Sequence, residues 1–113
     1  MSEFAFLFRG RNRQIPAEQH RKTMQRWSAW MKELNESGVI TNPGQPLDDG
    51  GKIIEGRAKV VNDGPFAEIK DVVNGFIVVE VPNLDAAIEV AMACPIFEDG
   101  GSVEVRPVRR FRP

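Results

Sequence analysis

Residues 75–95 read GFIVVEVPNLDAAIEVAMACP, and the fold turns on how this run is parsed. In an extended chain Phe76, Val78 and Glu80 point to one side, and Ile77, Val79 and Val81 to the other. A strand that is apolar on both faces belongs in the middle of a sheet with cover on both sides. Within such a face Glu80 needs a polar partner if it is buried. Pro82 ends the strand. Asn83 is suited to cap a helix, and Leu84, Ala87, Ile88 and Ala91 then share one helical face. The expectation is a helix over 84–94, closed by Cys94-Pro95.

The same parsing runs outward. FAFLFR, residues 4–9, puts Phe4, Phe6 and Phe8 on one face and Ala5 and Leu7 on the other, which makes a second central strand. Pro16 suits the first turn of a helix, where its missing N–H is no loss, and Glu18 suits the positive end of the helix dipole. His20, Met24, Trp27, Met31 and Leu34 recur as one helical stripe flanked by Trp30, and both tryptophans read as core. Gly38 is placed to stop this helix. Residues 41–52 read as loop and hairpin tip, because prolines and glycines crowd them. KIIEG (52–56) and RAKVVN (57–62) read as paired strands. SVEVRPV (102–108) reads as the last strand.

The order is β–α–β–β–loop–β–α–β within one domain over residues 1–113. It predicts an α+β fold, a ferredoxin-like antiparallel sheet with two helices on one face and an extra hairpin. One layer of helices leaves the second apolar face of the central strands open. Either the loop 95–101 covers it or a second copy of the chain does. The homodimer is the favoured reading, since exposed apolar surface of that extent marks an interface.

Composition excludes several classes. The chain has 113 residues, 42% of them apolar, and 15 Lys and Arg against 16 Asp and Glu for a net charge of -1. That balance argues against direct nucleic-acid binding, and the arginine-rich tail from Arg106 to Pro113 reads as solvated. No signal peptide or membrane helix is expected, so a cytoplasmic protein is the reading. One histidine and one cysteine cannot make a zinc site of ordinary composition, and no phosphate-cradling glycine loop appears. No metal and no cofactor is therefore expected. Cys94, before a proline at a helix end, reads as buried and unactivated.

The stretch DGPFAEIK (63–70) carries the candidate site. Asp63 opens a Gly64-Pro65 turn and can accept a backbone hydrogen bond there, while Phe66 plugs the core. The same turn can aim the Asp63 carboxylate into a polar cleft as a general base, or as the partner of an imidazole. His20, near the start of the first helix, is the one imidazole able to complete such a pair. Glu68 and Lys70 lie on the same side of the extended segment, as a surface ion pair or as contacts to a polar ligand. Arg9, at the end of the first strand, can bind an anion through two parallel N–H groups, and Arg57 can do likewise.

Residues 60–95, VVNDGPFAEIKDVVNGFIVVEVPNLDAAIEVAMACP, followed by GGSVEVRPV (100–108), resemble the YCII-related family, and within it the branch carrying the DGPF motif. Asp63-Gly64-Pro65-Phe66-Ala67-Glu68, Lys70, Gly75-Phe76, Asp85, Ala87, Cys94-Pro95 and Val103 to Pro107 carry the match. MQRWSAWM (24–31) and FLFRG (6–10) agree with it. The resemblance implies a dimeric α+β barrel. It implies little about reaction, since most such proteins have none assigned. A histidine and an aspartate meet in the cleft of the YCII branch, and the DGPF branch often accompanies extracytoplasmic-function sigma factors. This chain departs from the pattern at Thr23, where many relatives carry histidine or tyrosine; its own His20 lies three residues earlier. The expected function is metal-free acid–base chemistry on a small polar molecule in a cleft lined by Asp63 and the loop after it. The alternative is a non-catalytic ligand- or partner-binding module linked to sigma-factor regulation.

Overall fold

In a computed structural model the described residues are 1–10, 14–64 and 68–111. Pro65, Phe66 and Ala67 fall outside them, so the expected anchoring by Pro65 and Phe66 lies outside the described residues. The elements are β1 (Ser2–Arg9), α1 (Ala17–Glu36), β2 (Ile40–Pro46), β3 (Lys52–Glu55), β4 (Val60–Asp63), β5 (Val73–Val81), α2 (Leu84–Met92) and β6 (Ser102–Pro107). Short 3₁₀ turns cover Ile69–Asp71 and Pro95–Asp99. Four strands form an antiparallel sheet in the order β2-β5-β1-β6, and β3 and β4 form a separate hairpin. This is the ferredoxin-like α+β arrangement with an inserted hairpin.

The register shows why the central strands are apolar twice over. Phe4, Phe6 and Phe8 pair with Val79, Ile77 and Gly75. With Val81, Trp30, Leu34, Ala87, Ala91 and Ile96 they build the core beneath both helices. The alternate residues Ala5, Leu7, Phe76 and Val78 form the opposite face and are half-buried. The segment 95–101 does not cover that face. Its 3₁₀ turn packs against α1, and Ile96 enters the core on the helix side, so it extends the helical layer.

Residues 40–46 correct the expectation of a loop. They form β2 at the sheet edge, where Pro43 and Pro46 are tolerated because a proline's missing donor faces no neighbour. The pairing with β5 is irregular between Ile40 and Asn42 and again before Gln45. Asn42 Oδ1 accepts from the Gly44 N–H at 2.9 Å, which holds the bulge. Gly44 has φ +56°, and a Cβ there would lie 1.7 Å from Phe76 O. Only glycine lets this edge come in so close.

α1 also differs from its expected stripe. Thr23, Trp30 and Leu34 are buried, while His20, Trp27 and Met31 are half-buried and Met24 is 40% exposed. The inward line is turned toward Trp30 and Leu34, and Phe8 meets both indoles edge-on, Trp27 at 5.0 Å and Trp30 at 6.1 Å between ring centres. Such pairs add about 0.5–1.5 kcal/mol each beyond area burial. α2 begins as expected, with Asn83 Oδ1 accepting from Ala86 N–H at 2.9 Å, and ends at Met92 rather than 94. β4 begins at Val60, not 57, because Gly56–Lys59 form the hairpin turn, with Lys59 N–H donating to Gly56 O at 3.1 Å.

Candidate functional site

Where α1 leaves the edge of the sheet, a cleft of about 280 Å³ opens on the helix side. α1 contributes Met24, Trp27, Ser28 and Met31; β1 contributes Phe8; β2 contributes Pro43, Gln45 and Pro46. Asn74–Ile77 of β5 and Ile96 of the 3₁₀ turn complete it. The irregular β2 sets its outer wall, and Gly44 lets that wall approach β5. The lining is mainly apolar and aromatic, with Ser28, Gln45 and Asn74 as its polar side chains.

A set of buried polar atoms lies on α1 and on the 3₁₀ turn that packs against it. Among the described residues, Thr23 Oγ1, Trp27 Nε1, Trp30 Nε1 and both carboxylate oxygens of Asp99 are buried without a hydrogen-bond partner. Buried polar groups are nearly always paired, so several together are unusual. Gly100 and Gly101 shape this corner. Gly100 has φ +76°, and a Cβ on Gly101 would lie 2.7 Å from Arg9 O, so the small pair brings β6 in beside β1.

The residues expected to form the site are dispersed. Asp63 ends β4 on the separate hairpin, with its side chain 76% exposed and ion-paired to Lys52. The chain bends at Gly64, whose N–H donates to Gly51 O at 3.0 Å. His20 sits in the first turn of α1, half-buried, its backbone N–H bonded to Pro16 O at 2.9 Å. Glu68 and Lys70 form an exposed ion pair at 3.6 Å. Arg9 is engaged on two sides, donating from Nε to Glu104 Oε1 at 3.0 Å and from Nη1 to Asp71 O at 2.7 Å. It ties β1 to β6 and to the turn before β5. None of these five lines the cleft. The expected polar cleft beside Asp63 is therefore not the cleft found, because Asp63 belongs to a hairpin outside the main sheet and its charge is met by Lys52.

Cys94 is buried, and burial pushes its thiol up to about 12 against a smaller lowering by a backbone hydrogen bond at Ile96. It holds its proton at neutral pH and is no nucleophile. Among the described residues no three His, Cys, Asp or Glu side chains cluster to hold a metal ion, and no helix is long and apolar enough to cross a membrane.

Asp99 and Thr23 were missed as buried polar groups, and neither is among the residues that line the cleft. FEDGGS (97–102) looks like a solvated turn, and burial of its second acid depends on α1 packing over it. The family pattern pointed at the Thr23 position, but threonine there has no chemistry that composition could flag.

The sequence model of the family described as YCII-related domain matches residues 3–112. A 55-residue stretch is 38% identical to an uncharacterised protein of Rhizobium meliloti (strain 1021), covering 48% of this chain and 44% of that one. The match thus spans less than half the length of that relative. A solved structure of similar outline is 5-chloro-2-hydroxyhydroquinone dehydrochlorinase from Burkholderia phenoliruptrix AC1100 in complex with 2,5-dihydroxybenzoquinone. It is 15% identical, with a TM-score of 0.49 over 97% of this chain and 93% of that chain.

Proposed function

The chain belongs to the YCII-related family, and we propose that it acts as a homodimer that binds a small, mainly apolar molecule in the cleft between α1, β2 and β5. The cleft carries this reading. Binding sites are concave, mostly apolar and marked by a few placed polar groups, and Met24, Trp27, Met31, Phe8 and Ile96 beside Gln45 and Asn74 fit that description. Self-association is supported by the apolar face of Ala5, Leu7, Phe76 and Val78, which no helix covers.

The test uses toluene as probe and the indole N–H resonances of Trp27 and Trp30 as readout. Toluene is expected to move the Trp27 signal in a saturable way. Ser28→Phe, which fills the cleft from an exposed rim position, is expected to abolish the response without loss of fold. No response in the wild type sinks the reading.

A second reading keeps metal-free acid–base chemistry with His20 and Asp63. His20 stands one helical turn before Met24, on the α1 line that continues through Trp27 to Met31 at the cleft, which favours it as the proton-transfer group nearest a bound molecule. Its ring is the one imidazole in the chain. The dyad requires the His20 ring resonance and its titration to change in Asp63→Asn. Identical titration curves in the two proteins remove Asp63 from the role. The sigma-factor link implied by the DGPF resemblance has no counterpart among these relatives, and the reading does not use it.

A further inference from the structure

The β3–β4 hairpin stands apart from the main sheet. Its strands pair with each other and with none of the other four. The radius of gyration is 15.6 Å, against about 13 Å for a compact domain of this length, and a projecting arm accounts for the excess. A two-stranded hairpin is marginal by itself, and this one leaves apolar surface in water. Ile54 and Val61 face each other across the ladder and are 66% and 58% exposed. The tip beyond them is basic. It is the turn Gly56–Lys59, where Arg57 and Lys59 are both exposed. Among the described residues the ion pair on this arm uses Lys52 and neither tip residue. Lys59 takes φ +56°, a conformation that favours glycine.

A complementary surface lies on the open sheet face. Glu80 and Glu3 stand opposite each other there, both half-buried. On the other side of Glu3 is Val108, whose N–H donates to Glu3 O at 3.0 Å and whose side chain is 39% exposed. Two acids and an apolar side chain thus make one row at the end of the face. The arm carries two bases and an apolar pair within three residues, about 10 Å. It leaves the sheet after Pro46, which pairs with Gly75, five residues or about 17 Å along β5 from Glu80. The chain's own acids are therefore at the far end of the sheet from the arm. With two sheets face to face and their strands antiparallel, a two-fold axis brings the root of one arm beside the acidic end of the other subunit.

We propose that the hairpin is a dimer arm: Arg57 and Lys59 of each subunit meet the partner's Glu3 and Glu80, and Ile54 and Val61 pack on the partner's Val108. This rests on the self-association proposed above and adds the contact that sets its register. An apolar sheet face alone lets two copies slide, whereas paired charges at a fixed distance from the centre admit one alignment.

The experiment measures the dimer Kd of the full chain by sedimentation velocity. The arm variant carries Arg57→Glu and Lys59→Glu, and the face variant carries Glu3→Lys and Glu80→Lys. Each sets like charges against each other across the contact, so each is expected to dimerise at least about tenfold more weakly than wild type. Mixed one to one, the two are expected to recover wild-type affinity, because every arm then meets a face of opposite sign. A contact within one chain gives no such recovery. If circular dichroism shows the face variant unfolded, salt dependence decides instead. Between about 0.05 and 0.5 M salt the wild-type dimer is expected to weaken clearly, and Arg57→Gln with Lys59→Gln to respond much less. Equal salt responses overturn the arm. So do charge-reversed variants that dimerise as tightly as wild type, or a mixture that does not recover; in these cases the homodimer itself stands. A wild type that is monomeric at every concentration overturns the homodimer reading and the arm with it.

Discussion

Glu3 and Glu80 stand directly opposite each other across the β1–β5 ladder, on the sheet face that no helix covers. Like charges so placed repel. Thr41 Oγ1 donates to Glu3 Oε2 at 2.8 Å and relieves part of this. Between these acids and the Arg9–Glu104 pair lie Leu7 and Val78. This is an apolar centre with charged ends, which suits a second copy of the same face. Val78→Arg is therefore expected to convert a dimer into a folded monomer, read by sedimentation velocity. A dimer that persists would place the interface elsewhere. Glu80→Gln is expected to stabilise the isolated chain by about 0.2–1 kcal/mol.

Gly44 tests how the cleft wall is built. Gly38→Ala meets open space and pays only for its φ of +75°, about 1–2 kcal/mol. Gly44→Ala adds a Cβ 1.7 Å from Phe76 O, so it is expected to cost clearly more and to detach β2. Urea titration of both variants gives the comparison, and amide exchange at Gln45 and Phe76 reports the edge. Equal costs would contradict the close approach.

Cys94 sets a base-side limit on stability. Its folded pKa is raised from 9.0 to about 12 by burial, so the folded state holds a proton that the unfolded state releases. The contribution is fully present below pH 9 and is lost as pH rises toward 12, with a ceiling of about 4 kcal/mol at 1.36 kcal/mol per unit. The steepness of base unfolding is expected to lessen in Cys94→Ala. In the native wild type a thiol reagent is expected to react only as fast as the protein opens.

Arg9 separates an anion site from a structural clamp. Its guanidinium is held by Glu104 and the Asp71 carbonyl at 3.0 and 2.7 Å. Arg9→Ala is expected to cost about 1–2 kcal/mol in chemical denaturation, and Arg9→Lys is expected to recover less than half, because an ammonium cannot serve both acceptors with a planar fork. Full recovery by lysine would favour a simple charge role.

Much of this architecture was legible because local patterning and tertiary placement agreed. The doubly apolar runs 4–9 and 75–81 marked the two central strands, and Asn83 marked the start of α2 through a hydrogen bond that reaches only three residues. β2 was illegible for the opposite reason. ITNPGQP (40–46) has poor strand propensity and is extended only because an edge beside Phe76 tolerates prolines and a glycine bulge. The inward line of α1 was read through His20, Met24, Trp27, Met31 and Leu34, and tertiary packing turned it to Thr23, Trp30 and Leu34.

The sequence by itself determined the helices, the central strands and their order, since spacing and capping act within a few residues. Tertiary structure alone decided which polar groups lost water. Asp63, in the distinctive motif, became an exposed partner of Lys52. Asp99, in an ordinary-looking turn, became a buried carboxylate, because α1, distant in sequence, packs over the turn that carries it.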